Sequence, residues 1–138
     1  MIVYVDTSVV LRVVLGQPGA INDFETWTTA YSSALLGVES RRAIDRLRLQ
    51  AALDDDGVAQ AHEHLGQIEQ SLGWIRVTPA LLRRASQPMA TSLGTLDALH
   101  LSSALLFREH RDAALAFATH DAQQGLAARA NGFSVLGL

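Results

Sequence analysis

The chain has 138 residues, close to half of them apolar and fewer than a fifth charged, which excludes a disordered polymer and suits one compact domain over residues 1–138. Cysteine is absent, excluding a disulfide framework and any thiolate metal site, and no apolar run approaches the ~20 residues that cross a bilayer. The formal charge is −3, which taken whole speaks against a nucleic-acid partner.

In chain order, residues 2–6 read as a buried strand, β-branched and without polar alternation. Thr7 and Ser8 offer hydroxyls to cap a helix through Val9-Val10-Leu11. Gly16-Gln17-Pro18-Gly19 is a break. A short helix is expected from about Ala20 to Trp27, then a second strand near Thr29 to Ser33. A long helical pattern covers about Leu35 to Leu53. Asp54-Asp55-Asp56-Gly57 looks metal-like but reads better as a turn. Residues 58–72 are again helical, Trp74 to Val77 a third strand, and Pro79 suits the start of a helix over 80–87. After a loop from Pro88 to Gly94, an apolar helix runs from Thr95 to about His110. Leu115 to Thr119 is a fourth strand, Asp121 to Ala130 a helix, and Phe133 to Leu136 a fifth strand. No basic stretch precedes the first apolar run, so the expected location is the cytoplasm.

Strands that alternate with helices predict a parallel sheet covered on both faces. The ligand crevice of such a sheet lies beyond the carboxyl ends of its strands. Four acids stand out against this plan. Asp6 closes the first strand, and Asp121 follows the fourth. Glu39 breaks an apolar stripe of Leu35, Ala43 and Leu47, and Asp97 interrupts one formed by Leu93, Leu101 and Ala104. A lone buried carboxylate is costly, so four in apolar segments need a shared partner. Hard divalent cations prefer carboxylates and water, and a carboxylate site holding them can hydrolyse a phosphodiester without a histidine or serine nucleophile. Ser8 and Thr119 are candidates to add a hydroxyl or orient a water.

Setting these four acids aside leaves 11 basic against 14 − 4 = 10 acidic side chains, a balance of +1. Every basic residue is arginine, the better fork for phosphate. Arg41, Arg42, Arg46 and Arg48 fall within eight residues, a run read here as a solvated helix face rather than a binding surface. The histidines read as structural. His62 and His64 point to different helix faces, His110 ends a helix, His120 is set by its strand end, and His100 lies one turn after Asp97, within reach of a bond to it.

Taken together, Val5-Asp6-Thr7-Ser8, Ser32 to Arg42, Leu96 to Leu101, Ala118 to Asp121 and Ala127 to Leu136 resemble the PIN-domain ribonucleases of the VapC toxin type, over essentially the whole chain. The resemblance implies a three-layer α/β/α sandwich around a parallel sheet of four to five strands. It implies Mg²⁺, with Mn²⁺ as substitute, held by Asp6, Glu39, Asp97 and Asp121 with Ser8 and Thr119 in support. It also implies endonucleolytic cleavage of RNA, a homodimer, and a cognate antitoxin that blocks the groove. The chain carries no basic DNA-reading helix of its own, so DNA contact is expected only through that antitoxin. Residues 54–92 match nothing specific. Receiver and haloacid-dehalogenase-type domains also place aspartates at strand ends, but they resemble sites that need a lysine, and this chain has none. A non-catalytic binding module that keeps the acids for folding or partner contact is the remaining alternative.

Overall fold

A computed structural model describes all 138 residues. Every strand pairs in parallel with its neighbours: β1 (Ile2–Val5), β2 (Thr29–Ser33), β3 (Gly73–Ile75), β4 (Leu115–Ala118) and β5 (Ser134–Leu136) form one sheet in the order β3-β2-β1-β4-β5. Parallel pairing forces a crossover between consecutive strands, and helices supply each one. These are α1 (Thr7–Val14), α2 (Leu36–Leu49), α3 (Asp55–Ser71), α4 (Pro79–Ala85), α5 (Thr95–Arg111) and α6 (Ala122–Ala130).

Period-two alternation divides the core between the two faces. Val3, Val5, Ala116 and Ala118 point to one side and are covered by Val9 and Val10 of α1, Leu36 and Ile44 of α2, and Ala61 and Leu65 of α3. Tyr4, Leu115 and Phe117 point to the other, under Leu101, Ala104 and Leu105 of α5 and Ala127 and Ala128 of α6. The result is the expected α/β/α sandwich. Strand order reverses at β1: the chain winds outward through β2 and β3, then returns to place β4 on β1's other side. The helices that leave β1 and β4 therefore lie on opposite faces, which opens a crevice between their N-termini.

Four expectations about local structure change. The helix expected over Ala20 to Trp27 shrinks to a 3₁₀ turn at Phe24–Thr26; Asn22, Asp23 and Thr26 are all poor helix formers, and Thr26 Oγ1 closes the turn by donating to the Asp23 carbonyl at 2.7 Å. Thr7 and Ser8 are not caps but the first helical residues, with Asp6 at the cap position. The second helix stops at Leu49, and Ala51 turns left-handed at φ 55°. Asp54-Asp55-Asp56-Gly57 starts a helix rather than making a free turn, with Asp54 accepting from the Gly57 N–H at 2.7 Å as a helix N-cap does.

At the carboxyl edge, β5 is followed by Gly137, whose φ of +94° suits glycine. A Cβ there would fall 2.7 Å from the Thr119 carbonyl. This close passage packs the chain end against the β4–α6 loop that carries Thr119 and Asp121. No helix is long and apolar enough to cross a membrane.

Phe117 is fully buried; its ring stacks on Tyr4 at 5.1 Å and is tilted by 54° against Phe133 at 5.8 Å. Phe117→Ala is expected to lower stability by about 3–5 kcal/mol, whereas Leu82→Ala, at a half-exposed position, should stay within ~0.5 kcal/mol. Urea denaturation measures both, and similar losses for the two would contradict this division of the core.

Candidate functional site

Asp6 follows β1 directly and continues its ladder, its N–H bonding the Ala118 carbonyl at 2.9 Å. Extended backbone at Asp6 (φ −78°, ψ 153°) turns the chain into α1. A side chain at this position normally caps the helix, but that of Asp6 is drawn sideways. Its Oδ2 accepts from Ser8 Oγ at 2.7 Å and from Thr119 Oγ1 at 2.9 Å. Ser8 Oγ lies 3.3 Å from Thr119 Oγ1 and accepts the His120 N–H at 3.0 Å. The two hydroxyls named from sequence therefore tie the start of α1 to the end of β4. Asp6 is 5 % exposed and Thr119 fully buried.

Asp121 does cap its helix. Oδ1 accepts from the N–H groups of Gln123 and Gln124 at 2.8 and 3.0 Å, while its own N–H donates to Thr119 Oγ1 at 3.0 Å. Glu39 lies in the first turn of α2 and Asp97 in the first turn of α5. All four acids line one cleft of about 400 Å³, together with Thr7, Ser8, Leu11, Leu35 and two arginines.

Glu39 is held by a residue that sequence reading placed elsewhere. His100 does not bond Asp97. Its Nε2 lies 2.5 Å from Glu39 Oε1 and 3.2 Å from Thr7 Oγ1, and its Nδ1 lies 2.7 Å from the Tyr4 hydroxyl. The physical reason is direction: one turn along α5 from Asp97, His100 faces the sheet, where Tyr4 needs a partner for its buried hydroxyl. Thr7 Oγ1 also donates to Glu39 Oε1 at 3.1 Å. Tyr4 and His100 are both fully buried. Burial draws the His100 pKa down, but the Glu39 bond and the charges of Asp6, Glu39 and Asp97 outweigh it and leave the pKa raised. Burial and then the Asp6 charge push the Tyr4 phenol well above its usual range, so it stays a hydroxyl. In either protonation state both ring nitrogens are engaged: the neutral ring donates to Glu39 and accepts from Tyr4, and the charged ring donates to both. Tyr4, Thr7 and His100 are the site residues missed in the sequence. The available signal was a tyrosine inside a strand buried on both faces, since its hydroxyl requires a polar neighbour.

His62, His64 and His110 are exposed and lie outside the cleft. His120 is fixed by its strand end, with Nδ1 2.7 Å from the Gly137 carbonyl.

The four carboxylates share a cleft without forming a ready-made ligand cage; no three His, Asp or Glu side chains cluster as a metal-binding set. Asp6, Glu39 and Asp121 are each held by neighbouring hydroxyl, imidazole or backbone groups instead. Asp97 shows what the cleft lacks. Burial raises its pKa first, then the charges of Asp6 and Asp121, with a smaller rise from Glu39 that His100 opposes. Carboxylates close enough to disfavour one another's ionisation form a site short of positive charge, and their all-oxygen donor set matches a hard divalent cation.

Comparison with known proteins agrees with this plan. The family model for the PIN domain matches residues 3–129. Among solved structures, the crystal structure of PAE2754 from Pyrobaculum aerophilum aligns with a TM-score of 0.62 at 19 % identity, covering 96 % of this chain and 81 % of that one. At that identity the likeness bears on the fold alone. No curated protein matches the chain. The matched span runs from β1 into the last turn of α6 and includes all four acids, and the chain belongs to the PIN domain family.

Proposed function

We propose that this chain is a Mg²⁺-dependent endoribonuclease, with Mn²⁺ as a working substitute, and that it serves as the toxin of a toxin–antitoxin pair. PIN domains are generally nucleases, and the observation that carries the finer reading is the convergence of Asp6, Glu39, Asp97 and Asp121 on one cleft. Those four residues would hold the cation. Bound there, it would bind the scissile phosphodiester, supply hydroxide and stabilise the leaving oxygen.

The chain's own groups prepare that site. Ser8 and Thr119 orient Asp6 through its Oδ2. His100 and Thr7 hold Glu39 through Oε1. Helix capping occupies Oδ1 of Asp121, and its Oδ2 is the oxygen left for the cleft. Asp6 is the one buried acid of the four; Glu39 and Asp97 are half-buried and Asp121 is exposed. Two apolar side chains stand exposed among the lining, Val38 at 63 % and Leu96 at 48 %, which suits a covering segment of a cognate antitoxin. In this proposal the chain works as a homodimer and touches DNA only through the antitoxin.

Cleavage is tested with the purified chain on cellular RNA in Mg²⁺, Mn²⁺ or EDTA. Asp6→Asn and Asp97→Asn should abolish metal-dependent cutting while keeping the wild-type circular dichroism spectrum. Cutting at the wild-type rate by either variant would remove its residue from the site, and the non-catalytic reading would gain if no wild-type lane showed cleavage.

Asp97 also makes a prediction about stability. An acid whose pKa is raised in the folded state favours folding when protonated, and that contribution fades as pH rises through the carboxylate range. At neutral pH the ionised Asp97 therefore opposes folding. Asp97→Asn should unfold at a higher temperature than wild type in EDTA; a lower one would contradict repulsion among the acids.

For His100 the sign is opposite. A raised imidazole pKa stabilises the fold fully below about 6.5, and the contribution is lost as pH rises through the folded value. Thermal unfolding in EDTA should show the gap between wild type and His100→Gln widening as pH falls through neutrality. As a partner that orients a metal-binding carboxylate, His100 should also cost about 10–100-fold in cleavage when replaced by alanine. A pH-independent gap together with full activity would reduce it to core packing.

A further inference from the structure

The arginine run on α2 does not act as one surface. Arg41 is tied to Glu69 of α3 by two bonds of 2.6 and 2.9 Å. Arg48 folds back onto Asp45 at 3.1 and 2.8 Å. Arg42 and Arg46 instead line the acidic cleft. Arg42 has a single 3.5 Å contact with Asp45, a carboxylate that already serves Arg48, and its side chain is 73 % exposed. Arg46 takes part in no ion pair.

Position on the helix adds to this. Glu39, Arg42 and Arg46 are spaced by three and four residues and share one face of α2. The two arginines lie one turn apart, about 6 Å along the axis. They are the only basic residues among those lining the cleft. A polyanion approaching four carboxylates is repelled unless fixed cations stand beside them, and the guanidinium fork matches phosphate geometry.

We infer that Arg42 and Arg46 form the phosphate-holding wall of this cleft, gripping an unpaired RNA strand on one side of the bond that the acids address. The inference rests on the nuclease reading and adds the strand's path and the two side chains that hold it. Asp6 is 5 % exposed, so the phosphate it serves must enter the cleft. An unpaired strand can bend its backbone inward, whereas a duplex holds its phosphates on a rigid cylinder. Arg41 and Arg48, held by their own carboxylates, stand outside this wall.

The test is binding of a fluorescein-labelled unpaired RNA to the full-length Asp97→Asn chain in EDTA, by fluorescence anisotropy across a KCl series. Adding Arg42→Gln or Arg46→Gln should weaken binding and lower the slope of log K against log salt by about 0.7 each, the value for one phosphate contact on a single strand. Arg41→Gln and Arg48→Gln should leave the slope in place, and the same sequence annealed as a duplex should bind more weakly. Unchanged slopes for Arg42→Gln and Arg46→Gln would overturn the inference. Equal losses for all four variants would do so as well, since they would indicate a diffuse charge effect. Duplex bound as tightly as single strand would remove the claim about secondary structure. The nuclease reading fails separately: arginine-dependent binding with no cutting by wild type in Mg²⁺ would leave the wall and remove the reaction.

Discussion

Every acid of the cleft sits at a helix N-terminus. Asp6 and Asp121 hold the cap positions of α1 and α6, and Glu39 and Asp97 lie in the first turns of α2 and α5. A parallel sheet makes this arrangement available: α1, α2 and α6 each start within a few residues of the carboxyl end of the strand before them, and α5 joins them after α4. The positive end of a helix dipole favours a carboxylate by about 0.3–1 kcal/mol. Withdrawing an ion from water costs several kcal/mol. The helix ends therefore reduce the penalty of gathering four acids without cancelling it, and the raised Asp97 pKa shows the remainder. A divalent cation is the partner whose charge and oxygen preference would offset it.

His100 locks this arrangement together. One buried imidazole joins β1 through Tyr4, α1 through Thr7 and α2 through Glu39, while its own helix carries Asp97. Two acids from different crossovers are thereby held in fixed relation through the core. Ser8 and Thr119 serve the other half of the cleft, linking α1 to β4 around Asp6. The polar network and the hydrophobic sheet core meet at Tyr4, whose ring stacks on Phe117 while its hydroxyl faces the site. The acids of the cleft are thus tied directly to the buried sheet core.

The strand–helix plan was legible because its signals are local. Ile2 to Val5 and Leu115 to Ala118 are uninterrupted apolar runs, and Pro79 marks a helix start. The four acids stood out as charges in apolar surroundings, and the structure places them along one cleft. What stayed hidden depends on contacts between distant segments. The partner of His100 lies 61 residues away at Glu39, and no periodicity within α5 points there. The arginine run looked uniform because its division depends on Glu69 of another helix as well as on nearby Asp45. The Ala20 to Trp27 stretch failed for the opposite reason: Asn22, Asp23 and Thr26 are weak helix formers close together, and only one 3₁₀ turn forms there.

The central claim, that these four carboxylates make one cation site, is tested most directly by isothermal titration of Mn²⁺ into the wild-type chain and into Asp97→Asn. Saturable binding to wild type that is lost or strongly weakened in the variant is the predicted result. Absence of wild-type binding, or equal affinity in the two proteins, would contradict it.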